Sequence, residues 1–173
     1  MVRQSSALPV AWIALRILIL LNFLWGAAIL VLLTATIVAE QWTFKALGIG
    51  SSSGIPQVIM GLRAIAALGL VVIPINHVIL TRLVAMVETV RRGDPFLASN
   101  ARRLRIIAWS LLAIQILSMI IGGIGKAIST PEHPLHLDAG FSVAGWLAVL
   151  LTFVLARVFE EGASMRDELE GTI

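Results

Sequence analysis

Four apolar runs, at roughly 10–38, 55–80, 106–125 and 139–159, restrict what this chain can fold into more than any motif it carries. An α-helix rises 1.5 Å per residue, so about 20 residues cross the ~30 Å hydrocarbon core of a bilayer, and each run reaches that length. In lipid every backbone N–H and C=O has to be satisfied within its own segment, which makes each run a helix. The expected fold class is all-α, an integral membrane four-helix bundle forming one domain over 1–173. Composition agrees, with 58% of residues hydrophobic and 13% charged, whereas a soluble domain has about half and about a quarter. The first run is too long for the apolar region of a signal peptide, which covers about 7–15 residues.

The runs differ in their interruptions. The first holds only Arg16 and Asn22, and 40–54 is expected to be loop, with Trp42 at an interface and a short amphipathic turn over 42–47. The second carries Arg63, Pro74, Asn76 and His77. Pro74 removes a backbone donor, so a kink is expected there, with the helix continuing towards Val90. The connection before the fourth run holds two prolines and reads as a compact outer loop.

Charge decides the orientation. The connection 81–105 carries Arg82, Arg91, Arg92, Arg102, Arg103 and Arg105, while the first and third connections carry one lysine each, Lys45 and Lys126. Positive residues in short loops stay cytoplasmic, so this loop is predicted inside, and an even number of spans then places both termini inside. Arg3 and Arg16 support that arrangement. A three-span alternative would separate the termini, but every run is long enough to cross.

Within the basic loop, Gly93-Asp94-Pro95 is a turn signal, and Ser99 or Asn100 is expected to cap the third helix. Phe96 and Leu97 would return to the interface beside Trp109, with Arg102, Arg103 and Arg105 facing lipid headgroups at about 1 kcal/mol each. From Arg157 onward, into the tail 160–173, the charge is opposite: Glu160, Glu161, Asp167, Glu168 and Glu170 outnumber Arg157 and Arg166. A helix through it would align Val158, Gly162, Met165 and Leu169 on one face. We expect the tail to pack on the loop as a charge-paired cap. The candidate cytoplasmic contact site is therefore Arg91, Arg92, Asp94, Phe96, Arg102, Arg103, Glu160 and Glu161. The plainer reading is a topology anchor beside a solvated acidic tail.

A second candidate site lies in the spans. An arginine near mid-helix costs about 2.5–3.5 kcal/mol on insertion scales, so Arg63 either snorkels outward or has a partner. Candidates for a polar intramembrane site around it are Gln115, Asn22, Glu40 and Asp138, although Gln115 and Asn22 more often make interhelical hydrogen bonds. Asn76 and His77 suit the backbone disruption at Pro74. In the outer loop His133 and His136 stand between Glu132 and Asp138 and form a weak metal set, since the intervening prolines prevent a helical pair. Only His77 is well inside, so a bis-histidine haem is not supported. No cofactor is assigned, and without cysteine there is no disulfide or thiolate chemistry. Small residues at helix-contact spacing, Gly140, Ala144 and Ala148 and also Ser118 and Gly122, suit close helix approach. The outer helix faces leave room for a homodimer.

Two segments together carry a resemblance: GDPFLASNARRLRIIAW over 93–109 and ARVFEEGASMRDELEGTI over 156–173. They are similar to the central and C-terminal signatures of a family of small bacterial four-helix membrane proteins of unknown function. Gly93, Pro95, Phe96, Asn100, Leu104 and Arg105 match the first signature, and Phe159, Glu161, Gly162, Glu168, Thr172 and Ile173 the second. The resemblance implies a multi-pass protein of the bacterial inner membrane, often encoded beside a small helix-turn-helix regulator, and it brings no catalytic residues.

Three functions compete. The first is a non-enzymatic regulator or sensor whose loop and tail contact a soluble cytoplasmic protein, such as that regulator. The second is a small transporter, channel or toxin-immunity protein with a polar site around Arg63. An intramembrane enzyme comes third, because no Asp or Glu lies inside a span and no phosphate loop or serine-histidine pair is present. Direct nucleic-acid binding is disfavoured, because the arginines hug the bilayer.

Overall fold

The structure is a computed structural model that describes residues 7–39, 55–129 and 139–170. The described residues are all-helical, with four helices and no strand: α1 (Ala7–Val38), α2 (Ile55–Arg91), α3 (Ala98–Ile128) and α4 (Val143–Glu170). All four are long and apolar enough to cross a membrane, over Leu8–Val38, Val58–Arg91, Ala98–Ile128 and Val143–Arg166. Their outward surfaces are apolar. On α1, Leu24, Trp25 and Val31 are 65%, 67% and 68% exposed, which water would penalise and lipid would not.

The helices are longer than the apolar runs that predicted them. Only 92–97 separates α2 from α3, so most of the expected loop 81–105 is helical. The chain over 98–108 hides a buried face, Ala101, Leu104 and Ala108 at i, i+3 and i+7, alongside its arginines. Similarly, α4 begins at Val143 and continues to Glu170, so the tail extends the fourth span in one helix. α2 runs unbroken through Pro74.

The chain divides into two compact units. One comprises Met1–Asn22, Ile75–Ala113 and Val143–Ile173, and the other Phe23–Pro74 and Ile114–Ser142. In the second unit α1 and α2 run antiparallel. A Cβ on Gly26 would stand 3.1 Å from Ile73, and one on Gly69 would stand 3.5 Å from Ile29. The Arg63 guanidinium donates to the Thr36 carbonyl further along the same pair. Small residues therefore set the helix separation, as expected where lipid supplies no hydrophobic drive between helices.

The small-residue pattern is realised in part within this unit. Ser118 Oγ accepts from Gly140 N at 3.1 Å, and a Cβ on Gly122 would stand 2.5 Å from the Ala139 carbonyl oxygen. Gly140 precedes α4 with φ +136°, a conformation that favours glycine, so it belongs to the entry of the helix and not to its stripe. Ala144 and Ala148 are exposed.

Candidate functional site at the charged end

The first unit contains most of the charged candidates. α2 ends in a glycine stop of the Schellman type: Gly93 N donates to Val90 O at 3.1 Å and Asp94 N to Thr89 O at 3.1 Å. Gly93 takes φ +89°, the left-handed conformation such a stop needs, and Pro95 then prevents continuation. The turn is held from the other side by Asn100, which has no exposed surface. Its Nδ2 donates to Thr89 Oγ1 at 2.7 Å and to Pro95 O at 2.8 Å, while its Oδ1 accepts from Arg103 Nη1 at 2.8 Å. Arg103 also donates to Ala85 O at 3.2 Å. A buried amide that satisfies three groups from three segments locks α2 to α3 at one angle.

This corrects two expectations. Asn100 and Ser99 lie inside α3, which starts at Ala98, so neither caps it from outside; Asn100 instead reaches back to the turn. Phe96 does not sit beside Trp109. Its ring lies 5.3 Å from Phe159 on α4 with a 39° interplanar angle, and Trp109 packs edge-on against Phe153 at 5.4 Å.

The fourth helix meets this turn along its final three turns. Arg105 Nη2 binds both Glu160 carboxylate oxygens, at 3.0 and 2.9 Å, and Arg166 Nη1 binds Asp94 Oδ1 at 2.9 Å. Between these pairs a Cβ on Gly162 would stand 3.1 Å from the Phe96 ring, so the absence of a side chain there lets the ring seat. The inward face of α4 is Val149, Ala156 and Ala163, spaced seven residues apart, with Glu160 beside it. The face expected from the sequence is therefore partly displaced: Gly162 points in, while Val158 and Met165 are exposed. Both ion pairs are near half-exposed, so each contributes about 0–1 kcal/mol, and the apolar contacts with Phe96 hold more of the junction.

The predicted contact residues separate into two sets. Asp94, Phe96, Arg103 and Glu160 are used within the unit. Arg91, Arg92, Arg102 and Glu161 are exposed, with Arg92 paired to Glu88 at 2.6 Å and Glu161 to Arg157 at 3.0 Å on their own helices. Ala98, Arg102, Arg105, Glu160, Ser164 and Glu168 line a groove of about 580 Å3, floored by Ala101 and Ala163. Thr89 was not anticipated. Its signal was a hydroxyl in the last turn of a helix ahead of a Gly-Asp-Pro turn, where side chains find backbone and amide partners.

Of the candidates around Arg63, with Arg63 itself, three lie among the described residues. Arg63 is half-buried and bonded to Thr36 O. Gln115 is 7% exposed, with no hydrogen-bond partner for its Nε2 among the described residues. Asn22 is half-buried on α1. Glu40, Asp138, His133, His136 and the 42–47 turn lie outside the described residues.

A family model described as a protein of unknown function, DUF2975, matches residues 4–173. The chain belongs to this family. No curated protein and no solved structure matches the chain. The family match takes in the turn at 92–97, Asn100 and the α4 residues that pack on them, so the charged end lies within the family's own extent.

Proposed function

We propose that the chain is a non-enzymatic, multi-pass protein of the bacterial inner membrane, with both termini and the 92–97 turn in the cytoplasm. It acts as a regulator or sensor by presenting its charged end to a soluble protein such as a small helix-turn-helix regulator. The observation that carries this reading is the junction of α4 with the turn through Asp94–Arg166, Phe96–Phe159 and Arg105–Glu160. A tail fixed in this way leaves Arg91, Arg92, Arg102 and Glu161 outward on a preformed surface, which lowers the ordering cost of binding. The positive-inside bias supports the side assigned to it.

The alternative of a transporter, channel or immunity protein centred on Arg63 is weaker, because that guanidinium already serves the Thr36 carbonyl between two helices. Two experiments divide the readings. Co-purification of a helix-turn-helix regulator with the intact chain, lost when Arg91 and Arg92 are changed to glutamate, supports regulation. Solute flux through liposomes that disappears with Arg63→Ala overturns it.

A further inference from the structure

From Ala144 onward the outward side of α4 carries Ala148, Leu151, Leu155, Val158, Gly162 and Met165, spaced alternately four and three residues apart. We propose that this stripe is the seam of a homodimer, in which α4 lies parallel to α4 of a second copy. The inference goes beyond the regulator reading and needs only that α4 crosses the membrane.

The spacing is that of a coiled-coil seam, where a strict seven-residue repeat keeps an apolar stripe facing a partner helix. It is sustained for three heptads, from Ala144 to Met165. The stripe stands away from the inward face of α4, Val149, Ala156 and Ala163, and its large side chains, Leu151, Leu155, Val158 and Met165, are 45–60% exposed. At Gly162 the Phe96 ring takes the place of a side chain, and it is itself 45% exposed, so the apolar surface continues across that layer.

Lipid covers such a stripe only within the bilayer. Trp109, exposed on α3 and edge-on to Phe153 at 5.4 Å, marks the membrane interface. Met165 lies twelve residues past Phe153. That is about 18 Å further along the helix, and the headgroup zone is about 5–8 Å deep. Met165 and the Phe96 ring therefore present apolar surface to water, which calls for a protein partner. The same stripe continues into the lipid, so the partner is a helix that leaves the membrane with an apolar stripe of its own, and α4 of a second copy supplies one by symmetry.

The flanks fit the same choice. Two copies inserted with the same orientation are related by an axis along the membrane normal, which makes their α4 helices parallel. In a parallel pair the residue just before one seam position faces the residue five further on in the other helix, and this sets Glu161 against Arg166 of the second copy. Both already have partners within their own chain, Arg157 and Asp94, so the opposite signs set the register of the seam while its apolar layers hold it. The neighbouring stripe through Leu147, Val154 and Glu161 would bury a carboxylate, which disfavours it as the seam.

The test oxidises single-cysteine variants of the full chain in its native membrane, from a parent that has no cysteine. Residues on the seam of a parallel pair meet their own copies, and a disulfide needs Cβ atoms about 3.8 Å apart, so Val158→Cys and Met165→Cys should form linked dimers at least about tenfold faster than Leu150→Cys and Ser164→Cys. Leu150 and Ser164 are exposed on the same helix but off the seam, so they report chance collisions. Mass spectrometry of the product should show two copies of the chain. Equal rates at all four positions, or no product at the seam, overturns the proposal, as does a seam product that contains a different protein. A seam product whose rate falls in proportion as expression is lowered comes from collisions and also overturns it. Loss of co-purification with a helix-turn-helix regulator leaves these rates unchanged, so the two proposals fail separately.

Discussion

Replacing Asn100 with alanine removes three hydrogen bonds, to Thr89 Oγ1, Pro95 O and Arg103 Nη1, at 2.7, 2.8 and 2.8 Å, from a fully buried side chain. Each neutral bond contributes about 0.5–1.5 kcal/mol net and the one to a charged donor somewhat more, so the loss should total about 2–4 kcal/mol. Part is retained, because Thr89 Oγ1 still donates to Met86 O and Arg103 to Ala85 O, which places the expectation towards the lower end. Asn100→Asp is the informative companion. It keeps an acceptor for Arg103 but turns a carboxylate oxygen towards the Pro95 carbonyl, so it should destabilise at least as much despite its charge pairing with arginine. Unfolding in detergent micelles, followed by tryptophan emission, measures both. If both variants unfold within about 0.5 kcal/mol of wild type, the Asn100 network does not organise the charged end.

Other consequences are equally specific. Gly122→Ala should destabilise by about 1–3 kcal/mol, because its Cβ would lie 2.5 Å from the Ala139 carbonyl oxygen, while Gly123→Ala, with nothing within 4 Å, should be neutral or slightly stabilising. Melting the two variants side by side checks this, and equal midpoints would contradict the packing. At Gly162, alanine would set a methyl 3.1 Å from the Phe96 ring and should shift the ring slightly, while leucine should release Phe96, read as new chymotrypsin cleavage at that residue. For Arg105 and Glu160, a double-mutant cycle with both alanine variants should give a coupling of at most about 1 kcal/mol that shrinks with added salt.

The helices were legible because run length alone decides them. Their ends were not. Arginines over 98–105 lower the apolar sum although Ala101, Leu104 and Ala108 form a buried face, and the acids after Phe159 hide the seven-residue series Val149, Ala156 and Ala163 in the same way. Opposite charge in the loop and the tail correctly suggested that they would be neighbours. It could not reveal that a ring in the space above Gly162 and an amide behind the turn make most of the junction, because both depend on how segments distant in sequence approach. Around Arg63 the sequence identified the costly arginine but not the Thr36 carbonyl that accepts from it, because a backbone atom leaves no trace in residue type.

Sidedness tests the central claim most directly, and a chain without cysteine allows it without background removal. Single cysteines at Ser99 and Ser164, on α3 and α4 of the charged end, are exposed to a membrane-impermeant maleimide in intact cells and in inside-out vesicles. The account predicts that both stay unlabelled in cells and both label in the vesicles. Labelling of either position in intact cells, or of the two on opposite sides, would contradict it.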